Sequence, residues 1–103
     1  MHVISRRALR EFWETHSQAR ATLAAWFRIL ENGEFADFVA LRQTFAAADY
    51  VAPYTIFDVG GNKYRVVAVI HYERRRVYIR HVFTHAEYDA WSDEMRRTKR
   101  SER

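Results

Sequence analysis

The sequence predicts a single α+β domain in which an N-terminal helical hairpin packs on a small antiparallel β-sheet and a short C-terminal helix follows. Three observations predict it. Apolar residues recur at helical spacing through the first part of the chain, the pattern turns extended at Tyr54, and a helix-capping sequence stands directly after the last extended segment.

Taken in order, His2 to Ile4 reads as a short strand, and Ser5 is placed to N-cap a helix that carries Ala8, Leu9, Phe12 and Trp13 on one face. Thr15-His16-Ser17 breaks that pattern. Leu23, Ala24, Trp26, Phe27 and Leu30 then form a second helical face, ending near Asn32-Gly33, where glycine suits a left-handed C-cap. Helical spacing of aromatics at Trp13, Trp26 and Phe27 needs no cause beyond core packing. Asp37 caps a shorter helix with Phe38, Leu41 and Arg42, and residues 46–53 read as a connection.

From Tyr54 the residues are β-branched and aromatic, running into Gly60-Gly61-Asn62, a hairpin-turn sequence. KYRVVAVIHY, from Lys63 to Tyr72, has the nearly continuous apolar centre of a central strand. Glu73 to Arg75 makes a tight turn, and RVYIRHVF, from Arg76 to Phe83, is the third strand of a meander. Strict alternation places Arg65, Val67 and His71 on one face of the second strand, and Tyr78, Arg80 and Val82 on one face of the third, so Arg65 and Arg80 are expected close together. Thr84-His85-Ala86-Glu87 matches a capping box, which starts a helix with His85 and Tyr88 on one side of its first turn. The domain is expected over residues 1–93, with a basic, flexible tail over 94–103.

Composition narrows the function classes. Cysteine is absent, which removes disulfides, thiolate metal sites and cysteine nucleophiles. No apolar run approaches the roughly 18 residues that span a bilayer, and MHVISRRALREF lacks the apolar centre of a signal peptide, so a soluble cytoplasmic protein is expected. The net charge of +4, from 17 Lys and Arg against 13 Asp and Glu, is concentrated from Lys63 onward. A basic second half suits a nucleic-acid backbone, though the same charge also serves solubility.

Cationic strand residues beside an imidazole and a phenol suit RNA cleavage through the RNA's own 2′-hydroxyl. A base takes the hydroxyl proton, the oxygen attacks the adjacent phosphorus, and an acid protonates the departing 5′-oxygen. Arginine would stabilise the transition-state charge, and His85 or Tyr88 would move protons. No metal is expected: His81 and His85 are four apart, but the capping box puts one on a strand and the other on a helix, which denies them a shared face. His71, in an apolar strand, reads as a packed histidine.

GGNKYRVVAVIHYERRRVYIRHVFTHAEYD, with the opening MHVISRRAL and the helical first half, closely resembles the HigB toxins of bacterial toxin-antitoxin modules over residues 1–93. Its most specific parts are GGN-x-x-R at Gly60 to Arg65, YIR at Tyr78 to Arg80, and TH-x-EYD at Thr84 to Asp89. The resemblance implies a RelE-like fold and a toxin that cleaves mRNA at the ribosome. It also implies inhibition by a HigA-like antitoxin with a helix-turn-helix DNA-binding domain, through which alone operator DNA would be reached. No cofactor is implied.

RelE-like toxins carry their functional groups on the concave sheet face and the terminal segment. By that resemblance the catalytic candidates are Arg65, His85 and Tyr88, with Lys63 and Arg80. RNA-binding candidates are Asn62, Arg74, Arg75, Arg76, Arg96, Arg97, Lys99 and Arg100. Each of these has a plainer reading: Asn62 as a turn residue, the arginine triplet as solvated turn charge, and the tail as solvated charge or an antitoxin contact. Two other classes of function stand beside cleavage: a toxin of the same fold that only binds and poisons its target, as ParE-type toxins do, and a co-repressor acting through the antitoxin.

Overall fold

The structure, a computed structural model, describes residues 1–101, with side chains to Thr98. Its elements are β1 (His2–Ile4), α1 (Arg6–Thr15), a 3₁₀ turn (Ser17–Ala19), α2 (Arg20–Asn32), α3 (Phe38–Thr44), β2 (Asp49–Val51), β3 (Tyr54–Val59), β4 (Tyr64–His71), β5 (Arg76–Thr84) and α4 (His85–Ser101). The strands form one sheet in the order β1-β5-β4-β3-β2, antiparallel except for β1, which runs parallel to β5. The expected α+β class and three-strand meander are present, extended by an edge strand on each side.

One sheet face packs on α1, α2 and α3. Leu9, Leu23, Leu30 and Leu41 from the helices have no exposed surface and meet Phe57, Val66, Ala68 and Val77 from the strands. Truncating one such leucine to alanine removes transfer energy and leaves a cavity, typically costing ~2–5 kcal/mol. Aromatic edges lock the layers together: Trp26 and Phe45 each meet the Phe57 ring, at centroid distances of 5.0 and 5.2 Å.

Several local expectations are corrected. Ser5 does not cap α1 through its side chain; it sits at φ 77°, left-handed, and makes only the backbone bond from Ala8 N–H to its carbonyl. Gly33 is extended at φ −87° and ψ 157°. Glycine is needed there for space, because a Cβ would stand 2.6 Å from the Phe35 ring. Residues 46–53 are more than a connection, since they hold β2, paired with β3 through Tyr50 and Thr55. α4 continues to Ser101, through much of the segment expected as the tail.

The expected strand faces also need one revision. Val67 pairs with His81 while Ala68 pairs with Ile79, so Arg80 is the extra residue of a β-bulge. Alternation resets there. Tyr78, His81 and Phe83 share the face away from the helices, opposite Val69, Val67 and Arg65, whereas Val82 turns inward against the core.

That second face is only partly open. Across it run the row Asp58, Arg65, Phe83 and the row Ile56, Val67, His81, the first pair of each set by the β3–β4 register and the second by β4–β5. Ile56 is 4% and Val67 0% exposed although neither belongs to the helix-side core. Their cover is α4, whose Trp91 ring meets Tyr54 at 5.3 Å, His81 at 5.5 Å and Phe83 at 5.8 Å.

Candidate active site

One turn and one helix cap build the site. Gly60, Gly61 and Asn62 all have positive φ, 74°, 58° and 78°, a run that two glycines and an asparagine adopt with little strain. Asp58, the last open-face residue of β3, accepts a hydrogen bond from the Asn62 amide at 2.9 Å and so closes the turn. Directly opposite Asp58 in register lies Arg65.

The Arg65 guanidinium is held on four sides. It donates to Asp58 Oδ1 at 3.1 Å, to the Tyr64 carbonyl at 3.2 Å, to Asn62 Oδ1, and to His85 Nδ1 at 3.2 Å. It also lies over the Tyr88 ring, 5.7 Å from its centroid, within range of a cation–π attraction. With a side chain 12% exposed and an acidic partner 26% exposed, this ion pair is partly desolvated and better defined than a surface pair.

The capping box places the other groups. Thr84 N–H donates to Glu87 Oε1 at 2.8 Å, and Glu87 N–H donates to Thr84 Oγ1 at 3.2 Å, so both halves of the reciprocal pair are made. His85 N–H donates to the Lys63 carbonyl at 3.0 Å, which ties the start of α4 to the start of β4. The imidazole then lies between Arg65 at Nδ1 and Asp89, whose Oδ2 is 3.3 Å from Nε2. A guanidinium only donates, so Nδ1 is the acceptor of that contact, and Nε2 faces the Asp89 carboxylate.

Of the sequence candidates, Arg65, His85, Tyr88 and Asn62 come together in one cluster, and Lys63 adjoins it as an exposed residue joined through its carbonyl. Arg80 does not join them. The bulge sets it three residues along β5 from Phe83, the partner of Arg65, a distance of roughly 10 Å, and its guanidinium lies over Tyr78. Arg74, Arg75 and Arg76 sit at the far end of the β4–β5 hairpin, where Arg75 pairs with Glu34 at 3.2 Å on the surface and Arg76 stands opposite His71. Arg96 and Arg97 are exposed on α4, Arg96 reaching Ser92 at 3.3 Å; the side chains of Lys99 and Arg100 lie outside the described residues.

Two members of the cluster were not among the candidates. Asp58 and Asp89 hold Arg65 and His85 by one carboxylate each. The His85 to Asp89 spacing of four on a helix was a usable signal, whereas Asp58 could be placed opposite Arg65 only once the hairpin register was known. His81, packed against the Phe83 and Trp91 rings, has its pKa lowered chiefly by burial and further by the charge of Arg80, so it is held neutral there. No helix among the described residues is long and apolar enough to cross a membrane.

Residues 19–91 match the HigB toxin family, the RelE-like toxic component of a toxin-antitoxin system. The chain is 37% identical over 92 residues to the mRNA interferase toxin HigB of Escherichia coli K12, covering 86% of this chain and 88% of that protein. The mRNA interferase HigB of Shigella flexneri matches to the same extent. That of Escherichia coli O6:H1 is 30% identical over 92 residues, covering 86% and 89%.

Proposed function

Because the chain belongs to the HigB family of RelE-like toxins, the toxic components of toxin-antitoxin systems, we propose that it is an endoribonuclease. In this reading it cleaves mRNA at the ribosome by metal-independent attack of the 2′-hydroxyl, and an antitoxin holds it inactive. The observation that carries the reading is the Arg65–His85 contact, flanked by Asp58, Asp89 and Tyr88.

In the proposed reaction an arriving phosphate draws the Arg65 N–H away from His85 Nδ1. That frees His85 Nδ1 beside the reacting atoms while the guanidinium spreads its charge over the non-bridging oxygens. His85 Nδ1 takes the proton of the 2′-hydroxyl as its oxygen bonds to phosphorus. Asp89 at Nε2 stabilises the imidazolium that forms, the role a carboxylate plays behind a catalytic histidine. The bond from phosphorus to the 5′-oxygen then breaks, leaving a 2′,3′-cyclic phosphate on one fragment. The other leaves as a 5′-hydroxyl, with its proton delivered by the imidazolium or by the Tyr88 phenol. Lys63 and the basic residues of α4 would contact RNA phosphates, and Arg74, Arg75 and Arg76, at the far end of the hairpin, would contact ribosomal RNA.

Mapping mRNA 5′ ends in cells expressing wild type, Arg65→Ala, His85→Ala or Tyr88→Phe tests this. Removal of a proton-transferring group is expected to lower cleavage ~10²–10⁴-fold and removal of the arginine about 10²–10³-fold. Growth arrest by wild type with translated mRNA left intact would refute the ribonuclease reading. Three variants that cut like wild type would refute the site.

A further inference from the structure

Beside the Arg65–His85 cluster, and sharing Tyr88 with it, a groove of about 320 Å3 runs between α4 and the β2–β3 hairpin. On α4 it is lined by Tyr88, Trp91, Ser92 and Met95, whose spacing of i, i+3, i+4 and i+7 is one continuous helical face. The hairpin supplies Tyr54 and Ile56, with Asp49 at the edge. The stripe is aromatic and apolar, and its rim holds Arg96.

We infer that this groove is a nucleobase site: it takes the unstacked base next to the scissile phosphate and selects bases that present N–H donors, guanine above all. The inference rests on the ribonuclease reading, and three observations point to RNA as the occupant. Tyr88 touches both the guanidinium that would hold the phosphate and the groove, so a nucleotide bound at Arg65 has its neighbour at the groove mouth. Tyr88, Trp91 and Tyr54 line the groove, and aromatic side chains are what unstacked single-stranded bases pack against. The polar groups are also complementary to a nucleotide, with Arg96 for a phosphate and the Asp49 carboxylate as a hydrogen-bond acceptor. Asp49 Oδ1 already accepts from the Tyr50 amide at 2.9 Å, and the carboxylate keeps further lone pairs. Guanine turns two adjacent donors toward such a group, whereas uracil turns one flanked by carbonyl oxygens that an acidic group repels. The volume is at the small end for ligand sites, suited to one base and its sugar and too small for a protein helix.

Two readouts on the full-length protein test the site. In the first, four 2′-O-methyl RNA trinucleotides differing in the central base, which cannot be cleaved by 2′-oxygen attack, are titrated into 15N-labelled protein while the Trp91 indole N–H signal is followed by NMR. Guanine is expected to shift that signal at the lowest concentration, and Ser92→Phe, which fills the groove away from Arg65 and His85, to weaken binding at least tenfold. In the second, 5′ ends are mapped in cells expressing Asp49→Asn, where cutting beside guanine is expected to fall relative to cutting beside the other bases.

An unmoved Trp91 signal together with an unchanged base preference in Asp49→Asn would overturn the inference. So would a Ser92→Phe variant that binds and cuts like wild type but escapes neutralisation by the antitoxin, since the groove would then belong to the protein partner. Failure of the ribonuclease reading is separate, because it shows as intact mRNA under wild-type expression whatever the titration gives.

Discussion

Asp58→Ala is expected to disable the site without removing any group that would contact RNA. Its carboxylate is the acidic partner of Arg65, at 3.1 Å, and the acceptor for the Asn62 amide, at 2.9 Å. Both side chains of the ion pair are more than two-thirds shielded, so removing the acid leaves a partly desolvated cation. Hydrogen bonds to charged groups are worth ~1.5–3 kcal/mol, and about 2 kcal/mol is a reasonable loss here, since the Tyr64 carbonyl and Asn62 still hold the guanidinium. For a domain of this size that lowers Tm by roughly 8–16 °C in a thermal melt. Cleavage should fall about 10²-fold, the cost of misplacing a catalytic group by an ångström or so. Asp58→Asn keeps an acceptor for the Asn62 amide and for Arg65, so it should lose much less of both. The decisive comparison is a double-mutant cycle: in an Arg65→Ala background, Asp58→Ala should cost no further activity. If Asp58→Ala melts and cuts like wild type, or if the two losses multiply, Asp58 does not act through Arg65.

Two further outcomes follow from the same structure. Thr84→Ala removes the side-chain half of the capping box and should lower stability by ~1 kcal/mol, with reduced cleavage because His85 and Tyr88 are positioned from that first turn; circular dichroism melts and 5′-end mapping read both. His81 has a lowered pKa in the folded protein, so below its ordinary value of about 6.5 the unfolded chain binds more protons. The stability linked to it is therefore complete above pH 6.5 and is lost as the pH falls from there through the folded value; Tm measured from pH 7.5 to 5 should drop less for His81→Phe, which keeps the aromatic contacts with Phe83 and Trp91.

Much of the fold was legible because local signals agreed with the tertiary arrangement. The change of period at Tyr54, the GGN turn and the capping box each report a backbone preference that short-range sterics enforce. Other features depend on contacts distant in sequence. β2 has no alternation to read, since Asp49, Tyr50 and Val51 are all exposed and are a strand only because β3 pairs with them. The bulge at Arg80 leaves no composition signature, and one uncounted residue reversed the face assigned to everything after it. Arg80 was thus grouped with Arg65, while His81 and Phe83, which do face that side, were not. Gly33 pointed correctly to a helix end for the wrong reason, because the demand on it comes from Phe35 packing. In the site, the residues carrying charge or a proton could be picked out by chemistry. Their holders, Asp58 and Asp89, look like ordinary surface acids until the register and the helix face are known.

The parallel pairing of β1 with β5 sets the order in which this protein can assemble. His2, Val3 and Ile4 find their partners at Arg76, Val77 and Tyr78, more than two-thirds of the chain away. As the chain is synthesised, β1 has no sheet to join until β5 exists, and pairing across so long a separation closes late. Arg65 and the groups on α4 lie on opposite sides of β5 in sequence, so the cluster is completed later still. A chain stopped before Tyr88 would lack that residue, and one stopped before His85 would lack both. Such a fragment is expected to be harmless to the cell that makes it, and the antitoxin need meet only finished molecules.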